Sequence, residues 1–139
     1  MSPIPIVIDT NILLDIYVFQ DPRSTALNAQ ILSGKLLPVV SEETHAEFLD
    51  VLARPKFGLS SDAQQTVLAD WQRQSTFHNA SQIVRSPWRC KDKDDQKFLD
   101  LAYSLRPCLL VSKDKQVLRF AKRALREGVT IVSTSNLSV

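Results

Sequence analysis

The stretch Ile4-Pro5-Ile6-Val7-Ile8-Asp9-Thr10-Asn11 decides how the rest of this chain is read. From Ile4 to Ile8 every residue but Pro5 is apolar and β-branched, and the run ends abruptly at Asp9 and Asn11. An apolar run without alternation predicts a strand buried on both faces, because a half-exposed strand would switch between polar and apolar residues. Pro5 is tolerable near the start of such a strand, where its missing N–H costs least. A strand covered on both faces needs helices on both sides, so a repeating strand–helix pattern is expected downstream.

That pattern is present. Leu13, Leu14, Ile16 and Tyr17 predict a helix directly after the first strand. Asp21-Pro22 reads as an N-cap with proline at the first helical position, opening a helix that buries Ala26, Leu27, Ile31 and Leu32 and ends at Gly34. Leu36–Val40 repeats the strand signature, and Ser41 caps a helix carrying Phe48, Leu49 and Leu52, which Arg54-Pro55 ends. Ser61-x-x-Gln64 has the form of a capping box, opening a helix with Ala63, Val67, Leu68 and Trp71 inward. Ser81–Val84 reads as a short strand, Arg85–Lys93 as a polar loop, and Phe98, Leu99, Leu101 and Ala102 as the buried face of another helix. Cys108–Val111 and Val129–Val132 are the last strands, separated by a helix through Val117, Leu118, Ala121 and Leu125 that Gly128 closes. Short apolar strands alternating with helices of about 10 to 15 residues predict an α/β fold, a three-layer α/β/α domain around a mainly parallel, Rossmann-like sheet. Right-handed crossovers then gather the strand C-termini along one edge, where such folds keep their sites.

Composition sets the outer limits. The length of 139 residues suits one ordinary domain spanning residues 1–139. With 44% hydrophobic and 23% charged residues, the chain falls among folded proteins rather than disordered ones. A net charge of +2 neither demands nor excludes a polyanionic partner, because local clustering outweighs the sum. Cys90 and Cys108 form no CxxC pair and no His/Cys ligand set, which predicts reduced thiols in a cytoplasmic protein. The first apolar run lacks a basic flank and is too short for a signal peptide, and no later segment reaches membrane-spanning length.

The acids fall where strands end. Asp9 follows the first strand, Ser41 the second, and Ser112 and Asp114 follow Cys108–Val111, while Asp94-Asp95 opens the helix before that strand. Glu47 lies six residues beyond Ser41, about 9 Å along its helix, and can lean back to the same edge. Any one of these carboxylates is most simply a helix cap. Four at one rim repel one another, and a fold gains nothing by gathering them unless a cation neutralises them. Ligation by oxygen alone, without His or Cys, points to Mg²⁺ or Mn²⁺ rather than zinc. Glu43 shares a helical face with Glu47, so either acid can reach the rim. Asp94 adjoins Asp95 but points elsewhere on a helix, as an N-cap or outer acid.

Ile8-Asp9-Thr10-Asn11, an acid in the helix after the second strand, Asp94-Asp95-x-Lys97-Phe98-Leu99-x-Leu101-Ala102 and Val111-Ser112-Lys113-Asp114 together resemble the PIN domain. The resemblance runs from Ile6 to about Asn136 and is closest to the subgroup described as toxins of toxin–antitoxin pairs, from which Lys93 departs by standing in place of proline and Ser112 by standing where threonine is commoner. By position it implies Asp9, Glu47, Asp95 and Asp114 as catalytic, metal-holding acids. It also implies an RNA substrate cut to 5′-phosphate and 3′-hydroxyl ends, an antitoxin partner and a homodimer.

Around that set, Thr10, Asn11 and Ser112 are auxiliary candidates, offering hydroxyl or amide contacts to the scissile phosphate or simple caps. Arg85, Trp88, Arg89, Lys91 and Lys93 form a basic loop with an aromatic just before Asp94-Asp95, a composition suited to phosphate contact and base stacking. The alternative is a solvated loop that its tryptophan anchors to the core. Lys113 flanks Asp114 and is a further phosphate candidate. Two other functions fit less of the pattern. A haloacid-dehalogenase-type phosphatase would use Asp9, Ser41, Lys113 and Asp94-Asp95, but it needs a second acid where this chain has Asn11. A non-catalytic RNA-binding module gains nothing from four carboxylates facing a polyanion.

Overall fold

The computed structural model describes residues 3–137. Five strands form one parallel sheet in the order β3-β2-β1-β4-β5, where β1 is Ile4–Ile8, β2 Leu36–Val40, β3 Thr76–Phe77, β4 Cys108–Val111 and β5 Val129–Val132. Among the described residues seven α-helices accompany them: α1 Thr10–Tyr17, α2 Thr25–Leu32, α3 Glu42–Leu52, α4 Ser61–Gln74, α5 Gln96–Ser104, α6 Lys115–Leu118 and α7 Ala121–Arg126. The sheet carries helices on both sides, as the doubly buried strand runs require. Side chains alternate along β1: Ile6 and Ile8 pack with Phe48, Leu52 and Trp71 on one side, and Val7 packs with Phe98, Leu110 and Val129 on the other.

Several local expectations shift. The strand expected at Ser81–Val84 is absent; Ala80–Gln82 is a 3₁₀ turn, and the edge strand is Thr76–Phe77, directly after α4. There Thr76 and Phe77 add to the open edge of β2 next to Val39 and Val40, a pairing that no local pattern announces. The N-cap of α4 is Ser60, accepting from the Ala63 amide at 3.1 Å, so Ser61 is already helical and no Ser61–Gln64 box forms. Asp21-Pro22 caps a 3₁₀ turn, Pro22–Ser24, and α2 begins after it. That offset leaves only Leu27 and Ile31, one helical turn apart, facing the core, with Ala26 and Leu32 exposed. Leu49 is exposed because α3 turns Phe48 and Leu52, one turn apart, to the core. The last helix breaks at Arg119-Phe120 into α6 and α7, Phe120 turns into the core, and Leu125 faces outward. Cys90 and Cys108 are free and buried, and burial pushes the Cys108 thiol up to about 12.

Candidate metal centre

Strand order reverses between β1 and β4, the two neighbours at the middle of the sheet. A crevice opens at such a reversal beyond the strand C-termini, because the connections leave in opposite directions. Asp9 stands at the end of β1 and caps α1, its carboxylate accepting from the Asn11 amide at 3.2 Å. Asp114 caps α6 in the same way, accepting from the Gln116 amide at 2.8 Å. The Ser112 hydroxyl joins the two, donating to Asp9 Oδ2 at 2.7 Å and accepting from the Asp114 amide at 3.1 Å. Asp9 is only 3% exposed. Burial pushes its carboxyl up, against the pull of the Ser112 and Asn11 hydrogen bonds, and the charges of Glu47 and Asp114 push the same way as burial.

Asp95 behaves differently. It sits at the start of α5 yet makes no capping hydrogen bond, and its Oδ2 is buried without a partner among the described residues. Its carboxyl is pushed up to about 8, first by burial, then by the Asp114 carboxyl beside it and the charges of Asp9 and Asp92. A structural cap would use the backbone amides that Asp95 leaves alone. Carboxylate oxygens of Asp92, Asp95 and Asp114 lie within 4.8 Å of one another. An orphaned buried oxygen inside a cluster of oxygen donors fits a hard divalent cation.

Glu47 reaches the crevice from α3. The Thr10 hydroxyl donates to its Oε1, and the Lys97 ammonium lies 2.7 Å from its Oε2. Glu43 does not join it; one turn earlier on α3, it is exposed and lines a neighbouring depression with Ser41 and Lys93. Asp94 is exposed at the rim of the crevice, and its carbonyl accepts from Lys97. Thr10 therefore orients Glu47, and Asn11 donates its backbone amide to the capping Asp9 carboxylate and lines the same cleft.

The basic loop is not the open aromatic platform its composition suggests. Trp88 is 3% exposed and packs edge-on against Tyr103 with ring centroids 5.3 Å apart, so its face is not offered to a base. Gln96 staples the loop down: its amide nitrogen donates to the Trp88 carbonyl at 2.8 Å, and its oxygen accepts from the Cys90 amide at 2.7 Å. Arg89 is turned back onto the Ser86 carbonyl. Lys113 is also committed, its ammonium 2.9 Å from the buried Asp15 carboxylate. Arg85, Lys91 and Lys93 remain exposed, without an ion pair among the described residues.

Four functional candidates escaped the sequence reading. Asp92 was legible in principle, since Asp92-x-Asp94 is an Asx-turn pattern, and its carboxylate accepts from the Asp94 amide at 3.0 Å. Lys97 carries no local mark of its pairing with Glu47, fifty residues away. Arg54 and Lys56, just past α3, line the crevice beside Asp9, Glu47 and Asp95.

Among known families, the model described as PIN domain matches residues 5–116, a span that includes Asp9, Glu47, Asp95 and Asp114. No curated protein matches the chain.

Proposed function

This chain belongs to the PIN-domain family, whose members are generally nucleases, and on that premise we propose that it is a divalent-metal-dependent endoribonuclease occupying residues 1–139. The observation that carries the reading is the buried, partnerless Oδ2 of Asp95 among the carboxylates of Asp92 and Asp114. Asp9, Glu47, Asp95 and Asp114 would hold Mg²⁺ or Mn²⁺, with Asp92 as a fifth acid beside them. A bound divalent cation supplies Lewis acidity there, making water a better nucleophile and neutralising charge on the phosphate.

The protein's own part is to position these groups. Ser112 and the Asn11 amide hold Asp9, and Thr10 and Lys97 hold Glu47, so neither carboxylate pays much rotamer entropy to face the cation. Burial and the neighbouring acids push the Asp95 carboxyl up to about 8, which spares the metal-free cluster full repulsion near neutral pH. Asn11 lines the crevice with an amide able to donate to a phosphate oxygen. In the overall reaction water adds to phosphorus, the P–O3′ bond breaks, and the proton ends on the 3′ oxygen.

The test is cleavage of an end-labelled single-stranded RNA with Mn²⁺ or with chelator, by the parent and by Asp95→Asn. Loss of cleavage on chelation and in the variant is expected, with no turnover of small phosphomonoesters. Cleavage indifferent to chelation, or turnover of a phosphomonoester, overturns the reading.

We extend the proposal to a cytoplasmic toxin of a type II pair, acting as a homodimer under control of an antitoxin protein. Its support is the likeness of the Cys90–Asp95 segment to that subgroup. Growth arrest on expression of the parent, absent with Asp95→Asn, is the expected outcome; equal growth with both removes the toxin role.

A further inference from the structure

The crevice has two unlike walls. One carries the acids Asp9, Glu47 and Asp95; the other carries Arg54, Lys56 and Phe57 from the turn that follows α3. This second wall exists because Pro55 stops the helix and opens the 3₁₀ turn Pro55–Phe57, which Gly58 closes in the left-handed region at φ 64°. The turn places two cations and an aromatic ring in the same crevice as the acids, seven to ten residues beyond Glu47.

Neither cation is committed to the core, and Phe57 is half-buried, packed against the core yet lining the crevice. Among the described residues Arg54 makes only an exposed pair with Asp50 at 3.2 Å, a contact weak enough to be exchanged for a phosphate. Lys56 is exposed with no carboxylate partner among the described residues, its ammonium 5.2 Å from the Phe57 ring centroid. Phe57 stands edge-on to Phe19, 5.8 Å between centroids, and Phe19 is 58% exposed. Leu14 of α1 lines the same crevice as the acids and Phe57. Cations interleaved with accessible aromatics are the composition that grips a single strand, the charges tracking phosphates and the rings stacking bases. Lysine is depleted from the cores of protein interfaces, so the exposed Lys56 beside the rings favours a nucleic-acid ligand over a protein one.

We propose that Arg54, Lys56, Phe57 and Phe19 form the binding wall for the single-stranded RNA that flanks the scissile phosphate. Arg54 and Lys56 contact backbone phosphates, and the Phe57–Phe19 pair stacks a base. The proposal rests on the ribonuclease reading of the acid cluster. It also moves the aromatic contact away from Trp88, which is buried.

Binding is measured by fluorescence anisotropy of a labelled uridine dodecamer, in an Asp95→Asn background so that the strand is not cut. Arg54→Gln with Lys56→Gln should weaken binding at least tenfold and flatten the log–log salt dependence by about 1.4, two phosphates at about 0.7 each. Phe57→Leu keeps the apolar volume and should weaken binding about tenfold with the salt slope unchanged. Mn²⁺ affinity of Arg54→Gln/Lys56→Gln in the otherwise native chain, read by calorimetry, should be no weaker than the parent's. RNA affinity and salt slope unchanged in both variants overturn the wall, as does absence of dodecamer binding by the background protein. A change of oligomeric state without a change in RNA affinity also overturns it, making the face a protein contact. Metal-dependent cleavage by the native chain is scored separately. Its failure alongside normal, wall-dependent RNA binding would sink the ribonuclease reading and leave the wall standing.

Discussion

Ser112 Oγ lies 2.7 Å from Asp9 Oδ2 and donates to it, across 103 residues of chain. The same oxygen accepts from the Asp114 amide, so one buried hydroxyl ties the ends of β1 and β4 together and fixes two of the proposed metal ligands. Removing the hydroxyl leaves a nearly buried carboxylate short of a charged hydrogen bond, a loss of about 1.5–3 kcal/mol for a bond of this kind. Ser112→Ala is therefore expected to lower stability by about 2 kcal/mol and Mn²⁺ affinity by about 10- to 100-fold. Ser112→Thr keeps the donor and should recover most of both. Chemical denaturation and calorimetry read the two effects, and an alanine variant equal to the parent in both would show that the bridge does not matter.

Asp95 makes the metal-free protein sensitive to pH. Its folded carboxyl titrates near 8 against an ordinary value of 3.8, raised first by burial and then by the neighbouring acids, so the folded state binds the proton more tightly than the unfolded one. The associated stability is fully present below about pH 4 and is lost progressively as pH rises through about 8. Asp95→Asn removes the titration. In chelator it should be more stable than the parent at pH 8.5, by on the order of 1 kcal/mol, and nearly equal to it at pH 4. Thermal melts at the two pH values check this; an asparagine variant that melts lower at pH 8.5 would give Asp95 a structural role instead.

Lys113 forms an ion pair with Asp15. Its ammonium sits 2.9 Å from a carboxylate on a residue that is 6% exposed, so Lys113→Met strands a buried charge. The lysine itself is half exposed, which lets water take part of the load, and a loss of about 2 kcal/mol is expected. With the fold still populated, kcat/KM for RNA should change less than threefold. A drop of a hundredfold at unchanged melting temperature would return Lys113 to the phosphate.

The strands and most helices were legible because their signals are local. Ile6, Val7 and Ile8 can only be buried together, and Asp9, Ser41 and Asp114 are cap residues wherever a strand hands over to a helix. The exceptions share a cause. Thr76–Phe77 became a strand because β2 had an open edge, and Trp88 left its loop for the core because Gln96 and Tyr103 hold it there. Neither partner adjoins the residue it decides.

The same division runs through the site. By itself the sequence determined a parallel α/β plan, the acids at its strand ends, and the resemblance of their ordered spacing to one family, because capping chemistry and apolar runs act over a few residues. Only tertiary structure decided which acids converge and what each one touches. Glu47 lines the crevice, where Thr10 and Lys97 meet it, while Glu43 faces a neighbouring depression, and the turn before α5 lays Asp92 beside Asp114. Asp95 stands apart for the same reason. Whether a carboxylate is a cap or is left buried without a donor depends on the residues that surround it in space, and Asp114, nineteen positions further on, is one of them.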